Sequence, residues 1–250
     1  MNDYREANVD SSSEIKYEAR NLLKGRWTEA VIIAFIPTIF SFLFFRNISD
    51  TSSSSILYEL IEGFLLSAVT FSLMNLARNR DYVIRPVEEI LTPFNRKYFK
   101  NLLFLKLWKY LFVSLWTLLF VVPGIVKAYS YSQAELLYKD HVDRTGEQPN
   151  PRMILRESSD MMNGYKGALF FLDLSFFGWM ILNGLTFGLL GLWLTPYREM
   201  SRVVFYEILL TKHNNVNQNT DRLRQEREAE KKKYEEVGKN PNDFRDFEDF

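Results

Sequence analysis

The ionisable residues most able to do chemistry in this sequence lie inside its apolar segments. Asp173 is charged within the otherwise apolar stretch from Ala168 to Pro196, and Arg198 and Arg202 follow it. Asp173 lies about six residues (~9 Å) into one segment and Arg202 about eight residues (~12 Å) from the end of the next. A buried charge in such a segment normally faces a partner or water. An antiparallel pair of helices would bring Asp173 to Arg198 or Arg202, as a structural clamp or as a proton or ion relay.

A second set of charges is expected near the ends of other apolar segments. Glu59 and Glu62 fall in the first half of one segment, and Lys127 falls near the start of another. These groups would face one another across a water-filled cavity, or Glu59 would lie in the interfacial zone of a membrane. Glu135 is expected to contact lipid head groups or an arginine in a loop.

Other chemistries have little support in the residue types. The absence of cysteine excludes disulfides and thiolate metal sites. The two histidines, His141 and His213, lie in polar stretches, and no serine-hydrolase elbow, phosphate-binding loop or zinc-protease motif occurs. A net charge of zero gives no electrostatic footprint for nucleic acid. We therefore expect no catalytic, cofactor-binding or metal-binding residue, and no enzyme.

Long apolar helices are the elements that must position these charges. About 20 apolar residues cross a bilayer as a helix, and the apolar residues here come in blocks of that order, separated by charged stretches. The pattern predicts an all-α, polytopic transmembrane helical bundle of about six spans within a membrane domain at residues 14–210. The spans are predicted at residues 28–45, 56–77, 102–122, 124–139, 167–183 and 188–210.

Proline and glycine mark the expected breaks between these helices. Pro123-Gly124 predicts a turn or kink after the third span. Asn183-Gly184 and Gly188 predict a tight turn between the last two spans, and Gly164 is expected to end a helix at about 152–163.

The two ends of the chain differ from its middle. Residues 1–13 are predicted to be a disordered leader. Residues 14–26 have helical amphipathic spacing, which predicts a helix lying on the membrane face or an ordinary soluble helix. Residues 211–250 are predicted to form a charged cytoplasmic tail, with an Asn-rich linker at 214–220 and an exposed helix at 221–237.

The distribution of lysine and arginine predicts the orientation. Basic residues cluster at 16–26, 78–100 and 139–166 and again after 211. Because basic loops stay in the cytoplasm, both termini are predicted to be cytoplasmic in a multi-pass plasma-membrane protein. The span at 124–139 is polar, and the alternative is an interfacial helix. We retain it because its loss would move the basic 139–166 stretch to the outside.

A series of residues in a fixed order carries a resemblance to a known family. The residues are Arg20, Leu23, Gly25, Trp27, Pro123, Gly124, Ile125, Tyr129, Ser130, Tyr131, Ser132, Ser158, Met162, Gly164, Leu174, Ser175, Phe176, Gly178, Trp179, Thr186, Gly188, Pro196, Tyr197, Phe205 and Tyr206. Over residues 15–210 the chain resembles the domain-of-unknown-function family 975, uncharacterised integral membrane proteins mostly of Gram-positive bacteria. The loop at 140–151 is longer than is usual in that family. The resemblance implies a membrane location and supplies no catalytic residues.

Two functions from different classes follow from these features. The first is a non-enzymatic accessory or interaction component of the bacterial cell envelope, with membrane lipids as partners and other membrane or cytoplasmic proteins bound through the C-terminal tail. The alternative is a small transporter or permease-like protein that uses Glu59, Glu62, Lys127, Asp173 and Arg202. A polar cavity between the spans would favour the transporter, whereas a filled bundle with paired charges would favour the accessory component.

Overall fold

Helices account for most of the residues that the structure describes. The computed structural model describes residues 4–45 and 54–236, and no β-strand occurs among them. The predicted all-α class is therefore confirmed. The helices are α1 (Ser12–Leu23), α2 (Trp27–Phe45), α3 (Ser54–Arg78), α4 (Pro86–Leu91), α5 (Phe99–Leu119), α6 (Val121–Ser130), α7 (Ala134–Thr145), α8 (Pro151–Met161), α9 (Lys166–Leu174), α10 (Phe177–Leu185) and α11 (Gly191–Glu236).

Helix α1 is amphipathic because its apolar residues recur on one face. Ile15, Ala19, Leu22 and Leu23 are buried. The Ser11 Oγ atom accepts a hydrogen bond from the backbone N–H of Glu14 at 3.4 Å, which caps the first turn. The chain then bends by 103° into α2. Gly25 lies at this bend with a φ of +80°, a conformation that a residue with a side chain rarely adopts.

The described part of the predicted disordered leader is ordered. Tyr4–Glu6 form a 3-10 turn, and Val9 is fully buried. The burial of Val9 stabilises this segment. The polar composition of residues 1–13 gave no sign of this contact.

Three helical stretches within the described residues are long and apolar enough to cross a membrane: Leu57–Arg78, Phe99–Leu119 and Lys166–Leu185, the last combining α9 and α10. The bent pair of α1 and α2 gives a fourth if it is counted as one span. Length and composition alone thus identify three or four candidate spans and do not establish the predicted six.

The differences from the predicted spans have local causes. The segment predicted as the fourth span, 124–139, is interrupted because α6 ends at Ser130 and α7 begins at Ala134. The segment predicted as the sixth span belongs to α11, which carries Arg198, Glu199, Arg202 and Glu207 over the same residues. Helices with this charge content require neighbouring helices that shield them from an apolar medium.

Burial is distributed unevenly along the chain. The C-terminal half of α3, α7, α8 and the middle of α11 supply most of the buried side chains, with Tyr138, Phe205 and Tyr206 among the largest. In contrast, α10 has no buried residue. Apolar side chains on α5, α6 and α10 are exposed, including Leu118 (83% exposed) and Leu185 (72% exposed). Soluble monomers rarely expose contiguous apolar surface on this scale.

The chain divides into two units, Met1–Leu209 and Leu210–Phe250. Over its described residues the second unit is helical up to Glu236, and most of its side chains are exposed. Arg222 and Glu226 form an ion pair of 3.0 Å there. The predicted linker at 214–220 is helical because extending an existing helix through asparagine costs little per residue.

Candidate functional site

Asp173 and Arg202 join α9 to α11 through an ion pair. The Arg202 Nη2 atom lies 3.0 Å from both carboxylate oxygens of Asp173, and Nε lies 3.3 Å from one of them. The Tyr129 hydroxyl on α6 donates a hydrogen bond to Asp173 Oδ2 at 3.3 Å. Three helices therefore meet at one carboxylate. Arg198, the other arginine expected near Asp173, instead pairs with Glu199 at 3.2 Å.

We expect Asp173→Asn to lower the free energy of unfolding by about 1–2 kcal/mol. The accumulation of the protein in cells is expected to fall as a result. The substitution leaves the Arg202 guanidinium without its counter-charge. The effect is moderate because the Asp173 and Arg202 side chains are 22% and 35% exposed. Thermal melting of the detergent-purified protein and immunoblots of the cells measure the two effects. Asp160→Asn, at an exposed position, is the control. Wild-type accumulation and melting of the Asp173 variant would exclude the clamp.

Glu135 on α7 is the centre of a second charge cluster. The Lys106 Nζ atom lies 2.7 Å from Glu135 Oε2, and the Lys109 Nζ atom lies 3.5 Å from Oε1. The Ser67 hydroxyl donates a hydrogen bond to the same carboxylate at 2.6 Å. Glu135 was expected to contact head groups or a loop arginine, but the structure directs it towards α3 and α5. Gly63 on α3 leaves room for Lys106, whose Nζ would lie 3.4 Å from a Cβ atom at that position.

Two neighbouring cavities meet at this cluster. The larger, of about 300 Å³, is bounded by α3, α5, α6 and α7, and Glu59 is among its lining residues. The smaller, of about 80 Å³, is lined by Glu199 and Arg202 as well. Lys109 and Glu135 line both cavities. The smaller cavity is large enough to hold ordered water.

The smaller cavity contains an unsatisfied polar atom. Gln133 is 2% exposed, and its Oε1 atom has no hydrogen-bond partner among the described residues. Glu199, which is 3% exposed, accepts a hydrogen bond from Thr70 Oγ1 at 3.2 Å. Buried polar atoms of this kind are normally bonded to protein or to ordered water. The cavity itself is lined by Glu135, Glu199 and Arg202 and has room for water beside these charged groups.

The structure separates Lys127 from the two glutamates it was expected to face. Lys127 Nζ lies over the rings of Trp116 and Tyr131, 5.5 Å and 5.8 Å from their centroids. Glu62 accepts a hydrogen bond from the Ser41 hydroxyl at 2.6 Å, and Glu59 is exposed at the larger cavity. No ion pair joins these glutamates to Lys127 among the described residues. The cause is the close packing of α6 against α5, which brings Lys127 to the aromatic residues of that hairpin.

Sequence reasoning missed a third cluster, centred on Arg78 at the end of α3. Arg78 lies 2.6 Å from Asp140 on α7 and 2.6 Å from Glu207 on α11. Arg144 pairs with Asp140 at 3.0 Å, and Arg5 pairs with Glu207 at 3.7 Å. The rule that selected Asp173, an ionisable residue within an apolar segment, would also have selected Glu207. Asp140 carried no such signal because it was assigned to a polar loop.

A further polar cluster fixes the start of α5 against α7. Lys139 donates a hydrogen bond to Asn75 Oδ1 at 2.8 Å and is also paired with Asp143, and Tyr98 donates a hydrogen bond to Asp143. Burial raises the pKa of Asp143, but the hydrogen bonds from Lys139 and Tyr98 outweigh it and hold that pKa below its usual value. Burial raises the pKa of Glu89, although Ser72 donates a hydrogen bond to it at 2.9 Å.

These clusters are built from opposite charges in contact, which neutralises them inside the protein. Among residues 4–45 and 54–236, no group of three or more His, Asp or Glu side chains is arranged to hold a metal ion. The arrangement joins helices and leaves two small cavities between them that Lys109 and Glu135 line.

The fold and the clusters define an α-helical protein with membrane-length apolar helices and ion pairs between its helices. A family model described as "Protein of unknown function (DUF975)" matches residues 9–145 and 123–213, so the chain belongs to this family. The resemblance drawn from the sequence is thereby confirmed. No curated protein and no solved structure matches the chain.

Proposed function

We propose that this chain is a multi-pass protein of the bacterial plasma membrane. The observation that carries the proposal is the exposed apolar surface of α2, α5, α6 and α10. In the most apolar stretch of α5, only 11% of the residues are buried inside the protein. Water would solvate this surface poorly, whereas lipid chains would cover it without cost.

Six crossing segments are proposed as three helical hairpins. The first hairpin consists of α2 and α3. In the second, α5 is one crossing, and α6 and α7 together are the other. In the third, α9 and α10 together are one crossing, and the first part of α11 is the other. The charged helices α7 and α11 would be shielded by their neighbours, which is consistent with the ion pairs of Glu135 and Arg202. The basic stretches at 78–100 and 139–166 would lie in the cytoplasm with both termini.

Single-cysteine labelling tests this topology directly, because the natural chain has no cysteine. With a membrane-impermeant maleimide, Leu189→Cys is expected to react in intact cells. Asp81→Cys is expected to react only after the membrane is permeabilised. Both positions are exposed in the structure. Labelling of Asp81→Cys in intact cells would reject the proposed orientation.

Within the membrane we propose that the protein acts as a non-enzymatic accessory or interaction component of the envelope. The support is that interior charges such as Arg78 and Glu135 are neutralised by neighbouring side chains, while residues 221–232 present an exposed, highly charged helix. Such a helix offers charges of both signs to a partner protein.

Affinity purification of the full chain and of a chain ending at Leu210 tests this role. Proteins that bind the tail are expected to co-purify with the full chain and to be lost from the shortened one. A full-length chain with Arg222→Gln and Glu226→Gln, which removes one ion pair and keeps the net charge, is the control. Co-purification of the same proteins with both lengths would reject docking through the tail.

A permease-like function is the second candidate, favoured by the two cavities that share Lys109 and Glu135. Polar cavities between helices are where small transporters bind protons or ions. Reconstituted vesicles containing a pH-sensitive dye are expected to show proton flux that Glu135→Gln abolishes. Flux equal to that of empty vesicles would eliminate this candidate.

A further inference from the structure

Two basic residues on α1 line a surface pocket of about 510 Å³. Lys16 and Arg20 are one helical turn apart, and Ser12 and Ser13 precede them on α1. Ser175, between α9 and α10, and Tyr197 on α11 line the pocket from the other side. The pocket therefore combines two cations with several hydroxyl groups, and no carboxylate lines it.

The contacts of the two cations are with neutral groups. Lys16 Nζ donates hydrogen bonds to the backbone oxygen and the hydroxyl of Ser175, at 3.2 and 3.3 Å. Arg20 Nη2 donates to the Tyr197 hydroxyl at 3.3 Å. Burial and then the like charge of Arg20 lower the pKa of the Lys16 ammonium. An anion between Lys16 and Arg20 would relieve their repulsion and gain charge-assisted hydrogen bonds.

The position of the pocket indicates where such an anion would come from. The bend of 103° turns α1 across the direction of α2, so α1 lies near the plane of the membrane if α2 crosses it, as the proposed function requires. Leu174, which precedes Ser175, and Phe177, two residues after it, are 51% and 57% exposed. Apolar surface suited to acyl chains thus begins beside the cations.

We propose that this pocket binds the phosphate group of an anionic membrane phospholipid, with Lys16 and Arg20 as its cationic ligands. Ser12 and Ser13 line the same pocket, and their hydroxyls can supply further donors, whereas the Tyr197 hydroxyl already donates to the Lys16 backbone oxygen at 3.3 Å. The lipid's acyl chains lie against the exposed apolar side chains near Ser175. A basic site of this kind on an interfacial helix orients a membrane protein relative to one leaflet.

Lipid binding to the full-length, detergent-purified protein tests the proposal by native mass spectrometry. Phosphatidylglycerol is expected to bind Lys16→Gln/Arg20→Gln about 25-fold more weakly than the wild type, since each basic residue contributes about fivefold. Diacylglycerol, which has the same chains and no phosphate, is expected to bind both proteins equally weakly. Lys24→Gln/Lys100→Gln, which removes two exposed charges elsewhere, is expected to retain wild-type affinity.

Two further variants separate binding from folding. Lys16→Arg/Arg20→Lys keeps both charges and is expected to bind normally. Ser13→Glu adds a carboxylate at an exposed position of the pocket and is expected to weaken binding without removing either cation. Equal affinity of the double glutamine variant and the wild type would overturn the site.

The source of the phosphate is tested by competition. Inorganic phosphate is expected not to displace phosphatidylglycerol, because it gains nothing from the apolar surface. Displacement by inorganic phosphate at the affinity of the lipid would overturn the assignment to a lipid. Alkaline extraction of cell membranes tests membrane insertion separately. If the wild type and the Lys16→Gln/Arg20→Gln variant both stay in the membrane and bind lipid equally, only the pocket is rejected. If the wild type is released from the membrane, the membrane proposal is rejected.

Discussion

Arg78→Gln is expected to lower the free energy of unfolding by about 2–4 kcal/mol, somewhat less than for a fully buried ion pair because the Arg78 side chain is 29% exposed. Asp140 and Glu207 each have side chains that are only 4% exposed, and Arg78 lies 2.6 Å from both. Without the guanidinium, two carboxylates remain buried with only peripheral counter-charges. Thermal melting in detergent measures the loss, and the midpoint is expected to fall by roughly 4–16 °C.

Arg85→Gln is the matched control for this prediction. It removes a guanidinium group from the ion pair with Glu88, in which the two side chains are 69% and 70% exposed. Exposed pairs contribute roughly 0–1 kcal/mol, so this variant is expected to melt close to the wild type. Asp140→Asn and Glu207→Gln in the Arg78→Gln background should recover part of the loss by removing the unpaired charges. Equal melting of Arg78→Gln and Arg85→Gln would contradict the proposed importance of the cluster.

Gly124→Ala is expected to cost about 1–3 kcal/mol by forcing α5 and α6 apart. A Cβ atom at Gly124 would lie 2.1 Å from the Thr117 hydroxyl oxygen and 2.7 Å from the Thr117 Cα atom. The second contact is with the backbone, so a change of rotamer cannot relieve it. The slightly better helix propensity of alanine offsets only about 1 kcal/mol of the strain. Melting and the yield of monodisperse protein in detergent report the effect.

Two comparisons isolate the cause of that effect. Gly178→Ala, in α10, introduces a Cβ atom that meets nothing within 4 Å and is expected to leave stability unchanged or slightly higher. Thr117→Ala combined with Gly124→Ala is expected to remain destabilised, because the Thr117 Cα atom is still in the way. Full recovery in that double variant would show that the hydroxyl alone causes the conflict.

The sequence predicted the helical class and the main breaks because these depend on local properties. Runs of apolar residues interrupted by charged stretches specify helices regardless of their neighbours. Gly164 adopts a positive φ of +86° just after α8, as expected for a residue that ends a helix. The expected turn near Pro123-Gly124 occurs at Phe120, which is extended, and α6 begins at Val121. Proline is tolerated in the first turn of a helix, so the break precedes it.

The candidate site was only partly accessible to this reasoning. The depth of Asp173 in its segment required a cationic partner on the returning helix but did not distinguish Arg198 from Arg202. The two arginines are four residues apart on one helix, and the packing of α9 and α6 against α11 placed Arg202 at Asp173. Lys127 was assigned to Glu59 and Glu62 from similar depths, and packing against α5 placed it over Trp116 instead.

What the sequence by itself determined about this protein is its helical class, which of its segments are apolar and which charges need a partner. These properties follow from composition and spacing along a single helix. The tertiary structure decided which partner each charge received, that Arg78 joins Asp140 to Glu207, and that cavities meet at Glu135. The physical reason is that the order of helices in a bundle and their rotation about their axes depend on packing between distant segments. The sequence pattern indicates that a charged side chain needs a partner, but it does not identify which residue that partner is.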